Sequence, residues 1–209
     1  MSRSYNQVAG TSLERIAALS DGLFAIAMTL IVLEIHVPVR ESLHTEGELW
    51  WALVALGPRM VTYLMSFLTL GIFWVGQQTQ LNHFRHANRH LTWIHLAFLA
   101  LVALMPFSTE LLAEFITFRT ALLVYWVNVV FLGVVLYASW RYARGAALLR
   151  PETTDEISDA VVRRIAVAQS LYAVGAALCV LGTGWSIAFI VLVQLNYAIA
   201  PRFLSDALG

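Results

Sequence analysis

Residues Glu14–His36 read ERIAALSDGLFAIAMTLIVLEIH, a long apolar run with Asp21 near its start and Glu34 near its end. About 20 apolar residues in a helix cross the roughly 30 Å hydrocarbon core of a bilayer, so this stretch is long enough to span one. It is preceded by Thr11-Ser12-Leu13-Glu14, a T-x-x-E capping-box pattern, and followed by Pro38, which ends a helix. The ten residues at the start of the chain are polar, and the run ends without a small-residue cleavage site, so it reads as a retained span rather than a leader. At about 100° per residue, Leu19, Leu23, Ile26, Leu30 and Leu33 fall within about 80° of one another. Gly22 and Thr29 flank this stripe and Asp21 points away from it. On pattern alone, a smooth branched-aliphatic stripe on one helix reads first as a helix-packing face and only second as a pore lining.

The rest of the chain is of the same kind. Of its 209 residues 59% are hydrophobic and 12% charged, with a mean hydropathy of +0.72. Soluble domains run at about 45–50% apolar and about 25% charged, so an integral membrane protein is indicated. Disorder, a collagen-like fibre and a disulfide scaffold are excluded, the last because Cys179 is the lone cysteine. All 13 basic residues are arginine, balanced by 13 acidic ones with no basic tract, which argues against nucleic acid as a partner.

One all-α domain of six membrane helices is expected over residues 1–209, at about 12–37, 48–78, 90–116, 120–142, 160–181 and 184–200. Gly57-Pro58 should kink the second, Pro106 lies near the far end of the third, and Pro201 stops the sixth. Residues 141–164 form the only sizeable polar stretch. With six spans, ten arginines fall on the side that holds both termini; only Arg40 and Arg119 fall on the other, and Arg59 lies inside helix two. That bias places both termini in the cytoplasm and the chain in the cell membrane. Trp50, Trp51, Trp93, Trp140 and Trp185 sit near helix ends, as interfacial anchors do.

Arg15-Ile-Ala-Ala-Leu19-Ser20-Asp21 resembles R-x-x-x-F-S-D, the signature opening helix one in the transmembrane-protein-175 family of potassium channels, with Leu19 at the Phe position. Ser66-Phe67-Leu68 with Gly71-Ile72-Phe73-Trp74 is similar to the family's second helix, and Leu91-Thr92-Trp93 through Met105-Pro106-Phe107-Ser108 to its third. The resemblance covers about residues 12–115. It implies a homotetramer in which four copies of helix one line a pore, with Ile26 at the narrowest layer, Leu30 and Leu33 in the layers beyond, and Thr29 aiding potassium preference. It also implies a network of Arg15, Ser20, Asp21, Trp74 and Gln77 tying helix one to its neighbours. The expected partners are potassium ions, the bilayer and further copies of the chain, with no cofactor and no resident metal. Nothing resembles T-V-G-Y-G, so a hydrophobic constriction would replace a carbonyl filter and selectivity for potassium over sodium would be modest.

Other polar groups carry weaker signals. Six residues separate Arg15 from Asp21, which is out of register for a pair on one helix, so each should bond a neighbouring helix, with Trp74 and Gln77 as candidates for Arg15. Glu34, one residue past Leu33, would form a ring of carboxylates at the outer mouth. His83, His86 and His90 would share one face if a helix ran through them, a spacing that metal ligands use, but no cysteine or carboxylate is near to complete a set. Glu110 and Glu114 sit one turn apart without a nucleophile, and no phosphate loop or hydrolase triad is present, so no enzyme is indicated. The alternative to a channel is a proton-coupled secondary transporter using Asp21, Glu34 or His95. Against it, helix one has no Gly or Pro break between residues 23 and 35.

Overall fold

A computed structural model describes residues 12–40 and 43–199. The elements are α1 (Leu13–Leu33), α2 (Glu46–Ala55), α3 (Gly57–His83), α4 (Arg89–Ala103), α5 (Met105–Glu114), α6 (Arg119–Gly145), α7 (Asp155–Ala177) with a short 3-10 turn at Leu178–Val180, and α8 (Thr183–Ile199). Five apolar stretches are long enough to cross a bilayer: α1, α3, α4 with α5, α6, and α7 with its 3-10 turn. The shorter apolar α8 is the sixth helix of the bundle. No strand lies among the described residues.

Proline placement explains where the expected boundaries fail. The span foreseen at 48–78 with an internal kink is two helices, because Leu56 ends α2 and Pro58 stands in the first turn of α3, where its missing N–H costs nothing. No residue of α2 is buried. Its start is a reciprocal capping box: Glu48 Nα bonds Thr45 Oγ1 at 3.2 Å, and Glu48 Oε2 accepts from Thr45 N–H at 3.0 Å. A second backbone bond, from His44 N–H to Glu48 Oε2 at 2.6 Å, helps hold that carboxyl below its ordinary range. Likewise Leu104 separates α4 from α5, with Pro106 at the start of the new helix. α1 ends at Leu33, four residues before Val37, and begins on Ser12, whose hydroxyl accepts from Arg15 N–H. Thr11 of the foreseen capping box lies outside the described residues.

The polar stretch 141–164 is mostly helix. α6 runs to Gly145 and α7 starts at Asp155, leaving residues 146–154 as the link. That link is stapled to the α3–α4 turn by Arg85 N–H to Leu148 O at 2.8 Å and Arg150 N–H to His83 O at 2.9 Å. Thr154 caps α7, and Arg144 pairs with Asp155 and Asp159. Trp140, expected at the interface, is fully buried, with its indole N–H on Ser158 Oγ at 3.0 Å. Trp50, Trp51, Trp93 and Trp185 are exposed. Gly182, at φ +156°, turns the chain into α8 through backbone that disfavours any side chain.

The main apolar core lies where Phe24, Ala27 and Ile31 of α1 meet Met65, Leu70 and Phe73 of α3 and Phe98, Leu99 and Val102 of α4. A second cluster, Ile16, Leu81, Phe84, Leu91 and Trp140, closes the arginine-rich end. Helix α1 therefore leans on α3, α4 and α5 along one side only.

Candidate functional site

Ile16, Ser20, Phe24, Ala27 and Ile31 of α1 are buried; they recur at three- and four-residue steps and define the face bound to the bundle. The opposite side is bare. Leu19 is 47% exposed, Ile26 54%, Leu30 43% and Leu33 67%. Thr29, Gly22 and Ala25 are exposed between them. Leu23, expected in the same stripe, turns partly inward and packs on the core. The free arc is therefore wider than the foreseen stripe: large aliphatic side chains line one edge and small residues run down its middle. Thr29 donates its hydroxyl proton to Ile26 O at 2.8 Å, so the outward capacity of its oxygen is as an acceptor.

The signature network assembles on α1, though not around Arg15. Ser20 donates to Ile16 O and accepts from Gln77 Nε2 at 3.0 Å. Gln77 Nε2 also faces His95 Nδ1 at 3.1 Å, and His95 Nε2 faces Ser139 Oγ at 3.2 Å. One buried chain of polar groups thus links α1, α3, α4 and α6. Asp21 Oδ1 accepts from Trp74 Nε1 and from Gln78 Nε2, each at 2.8 Å. Trp74 and Gln77, foreseen as partners for Arg15, serve Asp21 and Ser20 instead; Arg15 sits a turn or more closer to the helix start, with its side chain exposed. Gln78 is a member that the spacing did not single out.

At the other end of α1 the chain gathers charge from three elements. Arg59 of α3 donates to Glu34 O at 3.1 Å, approaches His36 Nδ1 at 3.4 Å and pairs with Glu114 of α5. Glu110, one turn before Glu114, lies against the Glu34 carboxyl. Partial burial first, and Glu110 second, raise Glu34 above the ordinary carboxylate value of 4.5, against the pull of His36 and Arg59. Sequence reading found Glu34, Arg59, Glu110 and Glu114 one by one and missed that they converge, because the contacts bridge 25 and 55 residues of chain.

His83, His86 and His90 do not share a helix: α3 stops at His83 and Asn88 caps α4. His83 Nδ1 meets Thr153 Oγ1 at 3.3 Å and its ring stands edge-on to Trp140, while the His90 ring meets Tyr142 edge-on. Asp21, Glu34 and His95, the groups a proton-coupled cycle would use, lie at three separate places, and among the described residues no hydrogen bond joins one of them to another.

Residues 15–106 match the family model of the endosomal/lysosomal potassium channel TMEM175. A potassium channel from Chamaesiphon minutus is 31% identical over 189 residues, 88% of this chain and 93% of that protein. A potassium channel from Streptomyces collinus is 36% identical over 130 residues, 60% of this chain and 62% of that protein. The crystal structure of a lysosomal potassium-selective TMEM175 homologue from Chamaesiphon minutus superposes with a TM-score of 0.79 at 28% identity, covering 91% of this chain and 98% of that one.

Proposed function

The chain belongs to the TMEM175 family of potassium channels, and we propose that it is itself a potassium-permeable cation channel whose pore is lined by α1 from four copies. The observation that carries this reading is the bare aliphatic arc of α1 around Ile26. One copy of a helix cannot enclose a pore, and a closed ring about a rotation axis gives every copy the same environment. Ile26, Leu30 and Leu33 form the constriction. An ion passing them sheds water that no wall carbonyl replaces, so the lower dehydration cost of potassium relative to sodium sets a modest preference, aided by the Thr29 oxygen. Glu34, backed by Glu110, supplies negative charge just beyond Leu33 at the outer mouth and raises the local cation concentration. The arginine bias supports cytoplasmic termini in the cell membrane.

The test is a single-channel recording of purified protein in a planar bilayer under a potassium gradient, with a mass measurement of the same sample in mild detergent. Discrete openings from a four-fold assembly, reversing toward the potassium equilibrium potential, are expected. Flux without unitary openings from a monomer overturns the reading and favours a transporter cycle.

A further inference from the structure

The C-terminal end of α1 lacks the devices that usually close a helix. No basic residue stands in its last turn, and the capping residue Glu34 is right-handed, with no glycine after it to turn the chain left. Glu34 and Ile35 both send their N–H back to Val32 O, which leaves Glu34 O to be met from outside the helix. Arg59 of α3 meets it. Its Nη1 donates to Glu34 O at 3.1 Å, and His36 Nδ1 faces the same oxygen at 3.1 Å. The other arm of the guanidinium, Nη2, pairs with Glu114 of α5. One planar fork therefore ties the end of α1 to two helices, a geometry that an ammonium group does not reproduce. Arg59 is itself held in place: Pro58 lies in the first turn of α3, and the hydroxyl of the fully buried Thr62 donates to Arg59 O at 2.9 Å.

We propose that Arg59 is a positioning residue of the ion path: it caps α1 from the neighbouring helix and keeps Leu33 on the arc that faces the other copies. The proposal rests on the channel reading. Glu34 directly follows Leu33, so a bond to Glu34 O fixes how far the last turn of α1 can unwind or rotate. A lone arginine at a cation mouth would repel what enters, but Glu114 offsets that charge and leaves the fork its mechanical role. The clamp at Asp21 lies 13 residues, about 20 Å, back along α1. Both ends of α1 are then set by α3.

Hydrogen exchange on the full chain in lipid nanodiscs, read over residues 30–37, is paired with bilayer recordings under a potassium/sodium gradient. Arg59→Gln removes fork and charge, whereas Arg59→Lys keeps the charge and loses the fork. Both should speed exchange of that segment about fivefold, the loss of one charged hydrogen bond at a partly exposed site. Both should also raise resting leak and shift the reversal potential toward zero. Arg119→Gln is the matched control: it removes one positive charge just beyond α5, where Arg119 bonds Val180 O, and should leave both readouts at the parent's values. A mouth charge gives a different pattern, with Arg59→Lys matching the parent and Arg59→Gln raising potassium conductance at low salt. A merely structural role lowers the thermal midpoint of both variants and leaves the reversal potential unmoved. Either pattern overturns the proposal. If Arg59→Gln does not fold, Arg59→Lys against Arg119→Gln decides alone. Unitary currents in the parent with unchanged exchange in Arg59→Lys overturn this proposal only; no unitary currents in the parent overturn the channel reading and this role with it.

Discussion

The Trp74 indole N–H donates to the Asp21 carboxylate at 2.8 Å, tying α1 to α3 a short way inside the arginine-rich end. The same carboxylate oxygen takes Gln78 Nε2, so Asp21 holds two donors from successive turns of α3. Below this clamp Ser20 anchors the buried side of α1 through Gln77. The helix is thus fixed in rotation at one end, and that rotation decides which side chains stay bare.

A double-mutant cycle measures the clamp. Asp21→Ala and Trp74→Phe should each destabilise the folded protein, and the pair should cost less than the two separately. The coupling should be about 0.6 kcal/mol, the average for polar pairs between membrane helices, with about 1.7 kcal/mol as the upper end. Additive single effects in a detergent or bicelle unfolding assay would mean that the two groups do not interact.

Close helix contacts yield a second expectation. A Cβ on Gly175 would lie 2.6 Å from Ile190 Cγ1, a β-branched side chain with little freedom to yield. Gly175→Ala should therefore force α7 and α8 apart and cost about 1–3 kcal/mol. Gly71 has nothing within 4 Å of such an atom, and Gly71→Ala should be neutral or mildly stabilising, by up to about 1 kcal/mol. Thermal midpoints of the two variants in one detergent check both signs.

Much of the bundle was legible because apolar length and the period of 3.6 are local properties. Residues 12–37 announced α1, and its exposed edge at Leu19, Ile26, Leu30 and Leu33 followed from a wheel. Leu23 broke the stripe because the bundle's reach around α1 depends on Phe98 and its neighbours, which no local pattern encodes. Pro58 and Pro106 were visible, but a proline reads alike as a kink or as a first-turn residue until the backbone before it is known. The polar run 141–164 hid helix ends, since Thr154 caps α7 there and Arg144 pairs with Asp155 rather than lying in a loop. The charge cluster at the C-terminal end of α1 was least legible: Glu34, Arg59 and Glu114 meet only through the tertiary fold.

That cluster gives a pH expectation. The Glu34 carboxyl binds its proton more tightly than an ordinary carboxylate, owing to burial and to Glu110. Its negative charge is therefore present above the raised value and lost as pH falls through it, still above 4.5. Conductance at low salt should drop over that range, and less so at high salt, where the charge is screened anyway. The stability sign is the reverse: the folded chain holds the proton better than the unfolded one, so this group's contribution favours folding at low pH and is lost as pH rises through the raised value. Glu34→Gln should flatten the acid-side fall in conductance; an unchanged fall in that variant would assign it to another group.

The proposed constriction at Ile26, Leu30 and Leu33 is the decisive case. From Ile26 to Leu33 is seven residues, a rise of about 10 Å. Large aliphatic groups over that length, with Thr29 Oγ1 turned onto Ile26 O, offer water few hydrogen bonds in a narrow bore. A ring of four such helices would dewet and close without a plug. Ile26→Asn keeps approximate size but gives the wall donors and acceptors, so the bore should hydrate, leak should rise, and discrimination between potassium and sodium should fall. Thr29→Val removes only the outward oxygen and should lower potassium preference while leaving closure intact. Ala27 is the matched control, because it is 2% exposed and faces the bundle core rather than the free arc. Ala27→Ser should change stability, through its buried hydroxyl, without changing the reversal potential. Reversal potentials and resting leak under a potassium/sodium gradient separate the three. If Ile26→Asn matches the parent in both, the bare arc of α1 is a seam between copies and the ion path runs elsewhere.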